Sequence, residues 1–382
     1  MAAEGAKPVI ALTHAEGQAT LTLKATTIFN GITFDGQNTA MYLVTADATA
    51  AQKYVFENCE FKNYTKWAIS NQYDDATHVD SVLINNCFFH DGGSAVFFRA
   101  SGYEGQHSCD HFEMTNSTLY NLHFDDWGVG IIHVASNAEA EGMQNKVIID
   151  HITIYDFTDK EYGAITVRKT QDLSITNSII ANPTVGQKAS YVYGGNAENV
   201  IYYNVSQDGD LTYTNCLNVD PLFVDAANGN FALMPLSPAR GAATDGSDLG
   251  DPRWYTSVNK YTVTATANPA EAGTVNGAGE YIEGVAVTLV ATPERGYSFV
   301  NWTVEGEEVE DEATYTFTPS ANIDLVANFE EIEFTGNIIN VEPGEGTLMA
   351  AVAEAQAGDK LVLADGTYEI GYFPGGHILN KE

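Results

Sequence analysis

From Asn30 to Asn215 the chain is a succession of short apolar runs, each interrupted by one Asn or Asp. The interrupting residues are Asn30, Asn58, Asn86, Asn116, Asp150, Asn177 and Asn215, at a drifting interval of roughly 30 residues whose last step is the longest. A small or polar residue and then an apolar one follow, as in Gly31-Ile32, Cys59-Glu60-Phe61, Ser117-Thr118-Leu119 and Ser178-Ile179-Ile180. A second series runs out of phase: Trp67-Ala68-Ile69, Ala95-Val96-Phe97-Phe98, Ile131-Ile132-His133-Val134 and Ala164-Ile165-Thr166-Val167. From Ala68 through Ala95, Ile131 and Ala164 it keeps a similar, equally uneven spacing. These runs are rich in Val, Ile, Phe and Thr and lack a 3.6-residue period, so they predict strands rather than helices. Two registers with one drifting period predict several strands per repeat, joined by loops of variable length.

An all-β architecture built on a right-handed parallel β-helix accounts for this pattern. Each coil supplies short strands that pair in parallel with the coils above and below, and inward side chains stack in columns. The Asn positions then form a ladder at a turn, where side-chain amides bond one another and satisfy bent backbone. A helical solenoid does not fit strands of this composition. A β-propeller needs antiparallel blades of roughly 40–50 residues with their own motifs, and none is present.

Composition narrows the function. Against 17 Lys and Arg stand 51 Asp and Glu, a net charge of −34, which disfavours nucleic acid and anionic membrane as partners. With 44% hydrophobic residues, 20 Tyr and 18 Phe, the chain is not disordered in character. No apolar run reaches the length of a membrane span. Met1-Ala2-Ala3-Glu4-Gly5 lacks the basic start and apolar stretch of a signal peptide. The four cysteines show no CxxC spacing, so a zinc site is not expected, and Cys59 and Cys87 are expected to stack inward as free thiols.

From Asp220 the texture changes, through Asp220-Pro221-Leu222-Phe223-Val224-Asp225, Asn228-Gly229-Asn230-Phe231, Ser237-Pro238-Ala239 and Gly246-Ser247-Asp248-Leu249-Gly250. This resembles the closing segment of bacterial secreted β-helix proteins of the polysaccharide-lyase-like group, the chondroitinase B and alginate lyase relatives. Further on, Tyr261-Thr262-Val263-Thr264-Ala265 and Val285-Ala286-Val287-Thr288-Leu289-Val290 alternate as strands between turns at Asn268-Pro269, Gly273 and Pro293-Glu294-Arg295-Gly296. With Gly296-Tyr297-Ser298-Phe299-Val300-Asn301-Trp302 and Ala327-Asn328-Phe329, this unit resembles the divergent internalin-type B-repeat of bacterial surface proteins. That resemblance implies a small β-rich spacer or adhesion module. Trp302 is expected in its core, since so small a unit needs a large aromatic to fill its interior.

Near the C-terminus Thr347 is placed to N-cap a helix over Leu348–Ala355, which Gly358 ends, and Leu361-Val362-Leu363 reads as a strand. This resembles the capping helix and first coil with which a polysaccharide-lyase-like β-helix begins, whereas Pro8-Val9-Ile10 reads as a later coil. The expected organisation is a β-helix over 1–255, a B-repeat-like domain over 256–331, and a β-helix cap with first coil over 332–382. The cap is expected to dock on residues 1–30, in cis or in trans, the latter giving self-association. A circular permutant, a slice of a tandem array and a hybrid of two β-helices all give this order, and the first two are favoured.

Candidate chemistry follows from alternation along the second series. Val96, Phe98, Ile132, Val134, Ile165 and Val167 are expected to point inward, leaving Phe97, Arg99, His133, Thr166 and Arg168 outward. Arg99 and Arg168 fall in one column two coils apart, about 10 Å at ~4.8 Å per coil, with His133 between them one pleat earlier. Tyr103, Asp125, Asp126, Trp127, Glu161 and Tyr162 come from adjacent loops. Polyuronate lyases need a cation against the substrate carboxylate and a base for the α-proton, and relatives in this fold place Arg and Lys, some with Ca²⁺, on an outward strand face. The catalytic candidates are therefore Arg99, His133 and Arg168, and the substrate-binding candidates Tyr103, Trp127 and Tyr162. Outward Arg and His also pair commonly with loop carboxylates, so the structural role stands beside the functional one. No cofactor is expected. Ca²⁺ is the one ion for which carboxylates are at hand, at Asp74-Asp75, Asp125-Asp126 and Asp245/Asp248, but without a DxDxDG spacing they read as solvated loops. His90-Asp91 and His107/Asp110 read as turn residues.

The sequence thus predicts a secreted or cell-surface β-helix, its native signal peptide absent from this chain, that binds or cleaves an acidic or plant-type polysaccharide. If it is an enzyme, it is a polysaccharide lyase. The alternative is a non-catalytic adhesin or stalk, which the B-repeat-like unit favours.

Overall fold

In the computed structural model, residues 7–13, 21–46, 52–71, 79–99, 109–124, 129–135, 146–158, 162–168, 172–207, 210–333 and 335–370 are described. The chain falls into two compact units, Met1–Val258 and Asn259–Glu382.

The first unit is a parallel β-helix whose coils have three sides. The first side is built by Thr27–Asn30, Lys53–Glu57, Val79–Asn85 and the leading halves of Cys109–His123, Lys146–Thr158, Asp172–Ala181 and Asn196–Tyr203. The second side holds Val9–Ala11, Thr33–Asp35, Glu60–Lys62, Phe88–Gly92 and the trailing halves of those long strands. The third is a seven-stranded sheet of Leu21–Leu23, Tyr42–Ala46, Trp67–Asn71, Ser94–Arg99, Ile132–Ala135, Ile165–Arg168 and Ser190–Val192. Every ladder within these sides is parallel, as in Val96↔Ile132 and Phe61↔Phe89. Inward columns fill the interior by like-on-like stacking: Phe34 on Phe61 at 4.8 Å and Phe61 on Phe89 at 4.6 Å between ring centroids. Cys59 and Cys87 sit in one such column, and all four cysteines are free.

The corner between the first two sides corrects the ladder register. The residues in the left-handed region are Gly31, Asn58, Asn86, Asn116, His151, Asn177, Asn199 and Asn215. Asn30 and Asp150 precede the bend rather than making it, and Asn199 is a rung absent from the expected series. The long last interval, from Asn177 to Asn215, is therefore two short coils and not one long one. Asn fits here because its short polar side chain tolerates positive φ and can bond along the ladder. Asn58 Nδ2 donates to Asn30 Oδ1 at 3.0 Å, and Asn86 Nδ2 to Asn58 Oδ1 at 2.5 Å. Asn116 Nδ2 reaches Asn85 Oδ1 at 2.8 Å, and Asn177 Nδ2 reaches Asp150 Oδ1 at 2.9 Å. A second bend, at Asn63, Asp91, Asn121, Asp156 and Asn204, closes the second side with its own bonds, such as Asn121 Nδ2 to Asp91 Oδ1 at 2.6 Å.

After the last coil, residues 220–255 run back as a strap over the outer face of the second side. The antiparallel pair Phe223–Asp225 and Asn230–Leu233 packs Phe223, Phe231 and Leu233 on the outward residues Ile179, Ala181, Ile201, Tyr120 and Tyr155. Gly250 donates to Asn177 O at 2.8 Å with φ +87°, and a Cβ there would lie 2.6 Å from Thr153 Oγ1. Only glycine allows both that angle and that approach. The neighbouring Asp251 is buried, accepts from Thr118 Oγ1 at 2.6 Å and pairs with Arg253 at 2.6 Å. Burial raises its carboxyl above the usual range, against the opposing pull of Arg253 and Thr118. Arg253 in turn reaches Cys87 O at 2.9 Å and lies over the Phe88 ring.

The second unit opens with a β domain of two sheets, one of five strands and one of three. Lys260–Asn268 pairs in parallel with Ile323–Glu331, and Trp302 is fully buried among Val263, Leu289, Leu325 and Phe329. Beyond it, Ile338–Val341 pairs in parallel with Lys360–Leu363, and the helix Thr347–Glu354 connects them. Thr347 is the first helical residue rather than the N-cap. Gly346, with φ +72°, holds the cap position, and Thr347 Oγ1 donates back to Gly344 O at 3.2 Å. The physical reason is the tight parallel pair at Gly344-Glu345, whose exit demands a left-handed residue before the helix begins.

Candidate functional site

The third side carries the outward residues singled out in the sequence. Its ladders align Thr22, Thr45, Ser70, Phe97, His133, Thr166 and Tyr191 in one column. The neighbouring column aligns Arg99, Ala135 and Arg168: Arg99↔Ala135 and Ala135↔Arg168 are direct partners, and Asn71 of the preceding strand clamps the Arg99 backbone from both of its amide atoms. Arg99 and Arg168 thus share a column two coils apart, with His133 one pleat earlier between them.

The outward face is not uniform. Over its first coils the rings of Tyr42, Trp67 and Phe97 stack along the helix axis, at 5.0 Å and 4.1 Å between centroids. Phe124 and Val129 fold over this stack and bury Phe97. His133 follows, its ring 5.1 Å from Phe97 and its side chain only 3% exposed. It points away from the helix interior but is buried, not set in an open groove. Both faces of Trp67 are occupied, and its Nε1 has no hydrogen-bond partner among the described residues.

Over the later coils the face opens. Tyr162 meets Tyr191 edge-to-face at 4.8 Å, and Tyr191 meets Tyr193 edge-to-face at 5.8 Å with their hydroxyls 3.2 Å apart. Tyr162 and Tyr191 are half-buried and Tyr193 is 49% exposed. Tyr162 is held because its carbonyl accepts from buried Thr166 Oγ1 at 3.0 Å, and because Gly163 turns at φ +78°. A Cβ on Gly163 would lie 2.9 Å from Ser190 N, so the loop could not otherwise lie so close to the next coil. Of the three rings, Tyr193 is the most exposed. The strand ending at Arg168 lies beside this tyrosine cluster.

Of the six sequence candidates, the structure therefore places Arg99, His133, Arg168 and Tyr162 on one side of the helix. Tyr103 and Trp127 lie outside the described residues, as do Asp125, Asp126 and Glu161, and of Arg168 the backbone alone is described. Sequence reasoning missed Tyr42, Trp67, Tyr191 and Tyr193. The signal for the first two was an aromatic pair one coil apart at equivalent strand positions.

On the opposite flank His90 is not isolated. Its Nδ1 contacts Asp91 at 2.7 Å and its Nε2 contacts Glu60 at 2.9 Å, while Lys62 and Thr33 also bind Glu60. Burial raises the Glu60 carboxyl, yet these bonds outweigh it and hold the group below its ordinary value. The Asp245 and Asp248 carboxylates are engaged within the chain: Asp245 accepts from Ser247 N at 2.9 Å, and Asp248 pairs with Arg240 at 3.1 Å. Among the described residues no group of three or more His, Cys, Asp or Glu side chains is arranged to hold a metal.

Comparison with known families divides the chain in three. Residues 4–122 match a domain of unknown function, DUF4957, and residues 147–254 match another, DUF5123. No curated protein matches the chain. Residues 261–333 match the divergent InlB B-repeat domain, a type of module typical of bacterial surface proteins, in agreement with the resemblance seen in the sequence.

Proposed function

We propose that this is an extracellular, carbohydrate-associated β-helix, polysaccharide-lyase-like in fold, whose third side binds a polysaccharide of acidic or plant type. The observation that carries this reading is the cluster of Tyr162, Tyr191 and the 49% exposed Tyr193 beside the strand that ends at Arg168. Sugar rings present apolar C–H faces to aromatic faces and hydroxyls to the phenol oxygens, and parallel coils repeat such contacts along one axis. Arg99 and Arg168 are the cations this reading assigns to a uronate carboxylate. The buried His133 supports a positioning role better than that of a base.

The test is a binding screen of neutral and uronate polysaccharides by calorimetry, together with the ultraviolet absorbance of an unsaturated elimination product. Tyr193→Ala and Tyr191→Ala should each weaken binding by about tenfold, the scale of losing one aromatic anchor. With a net charge of −34, affinity for a uronate polymer should rise with moderate salt, while a neutral one stays level. Unchanged binding in both tyrosine variants would sink the site. Absence of any glycan ligand would favour the second reading, an adhesin or stalk, which the B-repeat domain supports.

A further inference from the structure

One rung of the Asn ladder departs from the rest. Where other coils place Asn or Gly at the bend, the fifth places His151, at φ +49°, directly after Asp150. His151 Nδ1 lies 2.8 Å from Asp150 Oδ2, and His151 Nε2 lies 3.3 Å from Ser247 Oγ, which the returning strap delivers. Asp150 is fixed from its other oxygen by Thr176 Oγ1 at 2.5 Å and Asn177 Nδ2 at 2.9 Å. The strap turn is fixed by Thr244 N and Oγ1, both bonded to the Asn177 amide, at 2.9 and 3.1 Å. Carboxylate, imidazole and hydroxyl are therefore in line, bonded through the atoms that a nucleophilic relay requires. Ser247 Oγ also lies 3.4 Å from Asp248 O and 3.3 Å from Tyr255 Oη, contacts it gives up when it donates to His151. Three segments far apart in sequence supply and brace them, and a simple Asn rung would have sufficed for the ladder.

We propose that Asp150, His151 and Ser247 form a hydrolytic site for carboxylic esters, with Ser247 as the nucleophile. The Ser247 Oγ–H proton passes to His151 Nε2 as Oγ bonds the acyl carbon. The C–O bond to the leaving alcohol then breaks, and that alcohol takes the proton from His151. A water molecule reverses the sequence: it gives its proton to His151, attacks the acyl carbon and frees the acid, and Ser247 recovers its proton. Asp150 stays ionised and orients the imidazole. Ser247 is half-buried, Asp245 and Gly246 beside it are exposed, and a Cβ on Gly246 would meet nothing within 4 Å, so a small acyl group has room. The residue after the nucleophile is Asp248, whose amide is the proposed oxyanion donor. The groups facing His151 are Asp150, Ser247 and the Asp245 carboxylate. The Asp150 hydrogen bond, against the effect of burial, holds the imidazole above its ordinary value, so the neutral base form is reached at a higher pH than in a free imidazole. Acylated sugar hydroxyls are the natural esters if the polysaccharide reading holds, but the chemistry does not depend on it.

The experiment treats the full chain with a fluorophosphonate probe and p-nitrophenyl acetate, and locates the adduct by peptide mass mapping. The expected result is one adduct on Ser247 and acetate release that falls on the order of 10²–10⁴-fold in Ser247→Ala and His151→Asn. His151→Asn installs the residue found at other rungs, so its melting temperature checks that the fold persists. Asp150→Asn should move the pH profile of acetate release as well as its rate, which a purely structural Asp150 would not. No adduct on Ser247, or equal labelling and turnover in folded His151→Asn, overturns the proposal. A positive result without any polysaccharide ligand would leave this site standing and remove only the glycan reading.

Discussion

The second and third sides of the β-helix are built from the same kind of strand, yet their outer faces are finished differently. On the second side the strap covers the outward aromatics Tyr120 and Tyr155 with Phe223 and Phe231 in edge-to-face and tilted contacts, and Trp254 meets Phe231 edge-to-face. On the third, Phe124 and Val129 pack on the stacked Trp67 and Phe97, and Tyr193 beyond them is 49% exposed. Outward aromatic residues on a coil thus have two fates. Where the strap returns they become a second core, and on the third side Tyr193 stays half exposed. The difference lies in tertiary return, not in the strands themselves, and it decides which face can hold a ligand.

The sharpest way to break this contrast is to truncate one ring on each side. Phe231 is 1% exposed at the centre of the strap cluster, so Phe231→Ala should cost about 3–5 kcal/mol in denaturant unfolding, for lost burial plus the cavity left behind. Tyr193→Ala removes a ring already 49% exposed and should change stability by less than about 1 kcal/mol. Equal losses would mean that the open tyrosines are core as well, and the distinction between the two faces would fall.

The frame beneath both faces can be tested apart from them. Asn58 sits at φ +54° and donates to Asn30 while accepting from Asn86. Asn58→Gly keeps the backbone angle and loses the bonds, whereas Asn58→Ala loses both. The alanine variant should therefore be less stable than the glycine variant by about 1–2 kcal/mol, the cost of the left-handed region for a Cβ-bearing residue. If glycine were the more damaging change, the amide bonds rather than the angle would be what selects Asn at the bends.

Much of the frame was legible because it is local. Period-2 runs, recurrent Asn and the Cys59/Cys87 column each announce themselves within one coil. The pairing of Arg99 with Ala135 and Arg168 followed from counting alternation alone. The coil ending at Asn199 escaped notice because the rungs Asn177, Asn199 and Asn215 crowd closer together than the period set by the earlier coils. The covers escaped for another reason. Thr118 meets Asp251 and His151 meets Ser247 across long stretches of chain, and no periodicity carries such a return. Hence the direction in which His133 points could be read, and its burial could not.

The smallest effect concerns the seam where strap meets ladder. The His151 imidazole gains its hydrogen bond to Asp150 on folding, and this raises it above the unfolded value of 6.5 against the opposing effect of burial. A folded-state value above the unfolded one means that the native state binds the proton more tightly. Its contribution to stability is then complete below pH 6.5 and fades as pH climbs through the raised value. Asp150 acts in the opposite sense. Burial raises it, but the bonds from His151, Thr176 and Asn177 prevail and hold it low, so its contribution is lost only in acid, as pH falls through that lowered value. Urea midpoints followed from below neutrality into the alkaline range should therefore decline in the wild type and lie flatter in His151→Asn, which has no imidazole to titrate. Trp254, in the strap, supplies a local fluorescence readout, since its Nε1 bonds Thr118 Oγ1 at 2.8 Å. If the wild type and His151→Asn keep parallel profiles through this window, the strap turn is held by Asn177 and Thr244 alone, and the imidazole adds nothing to closing the second side.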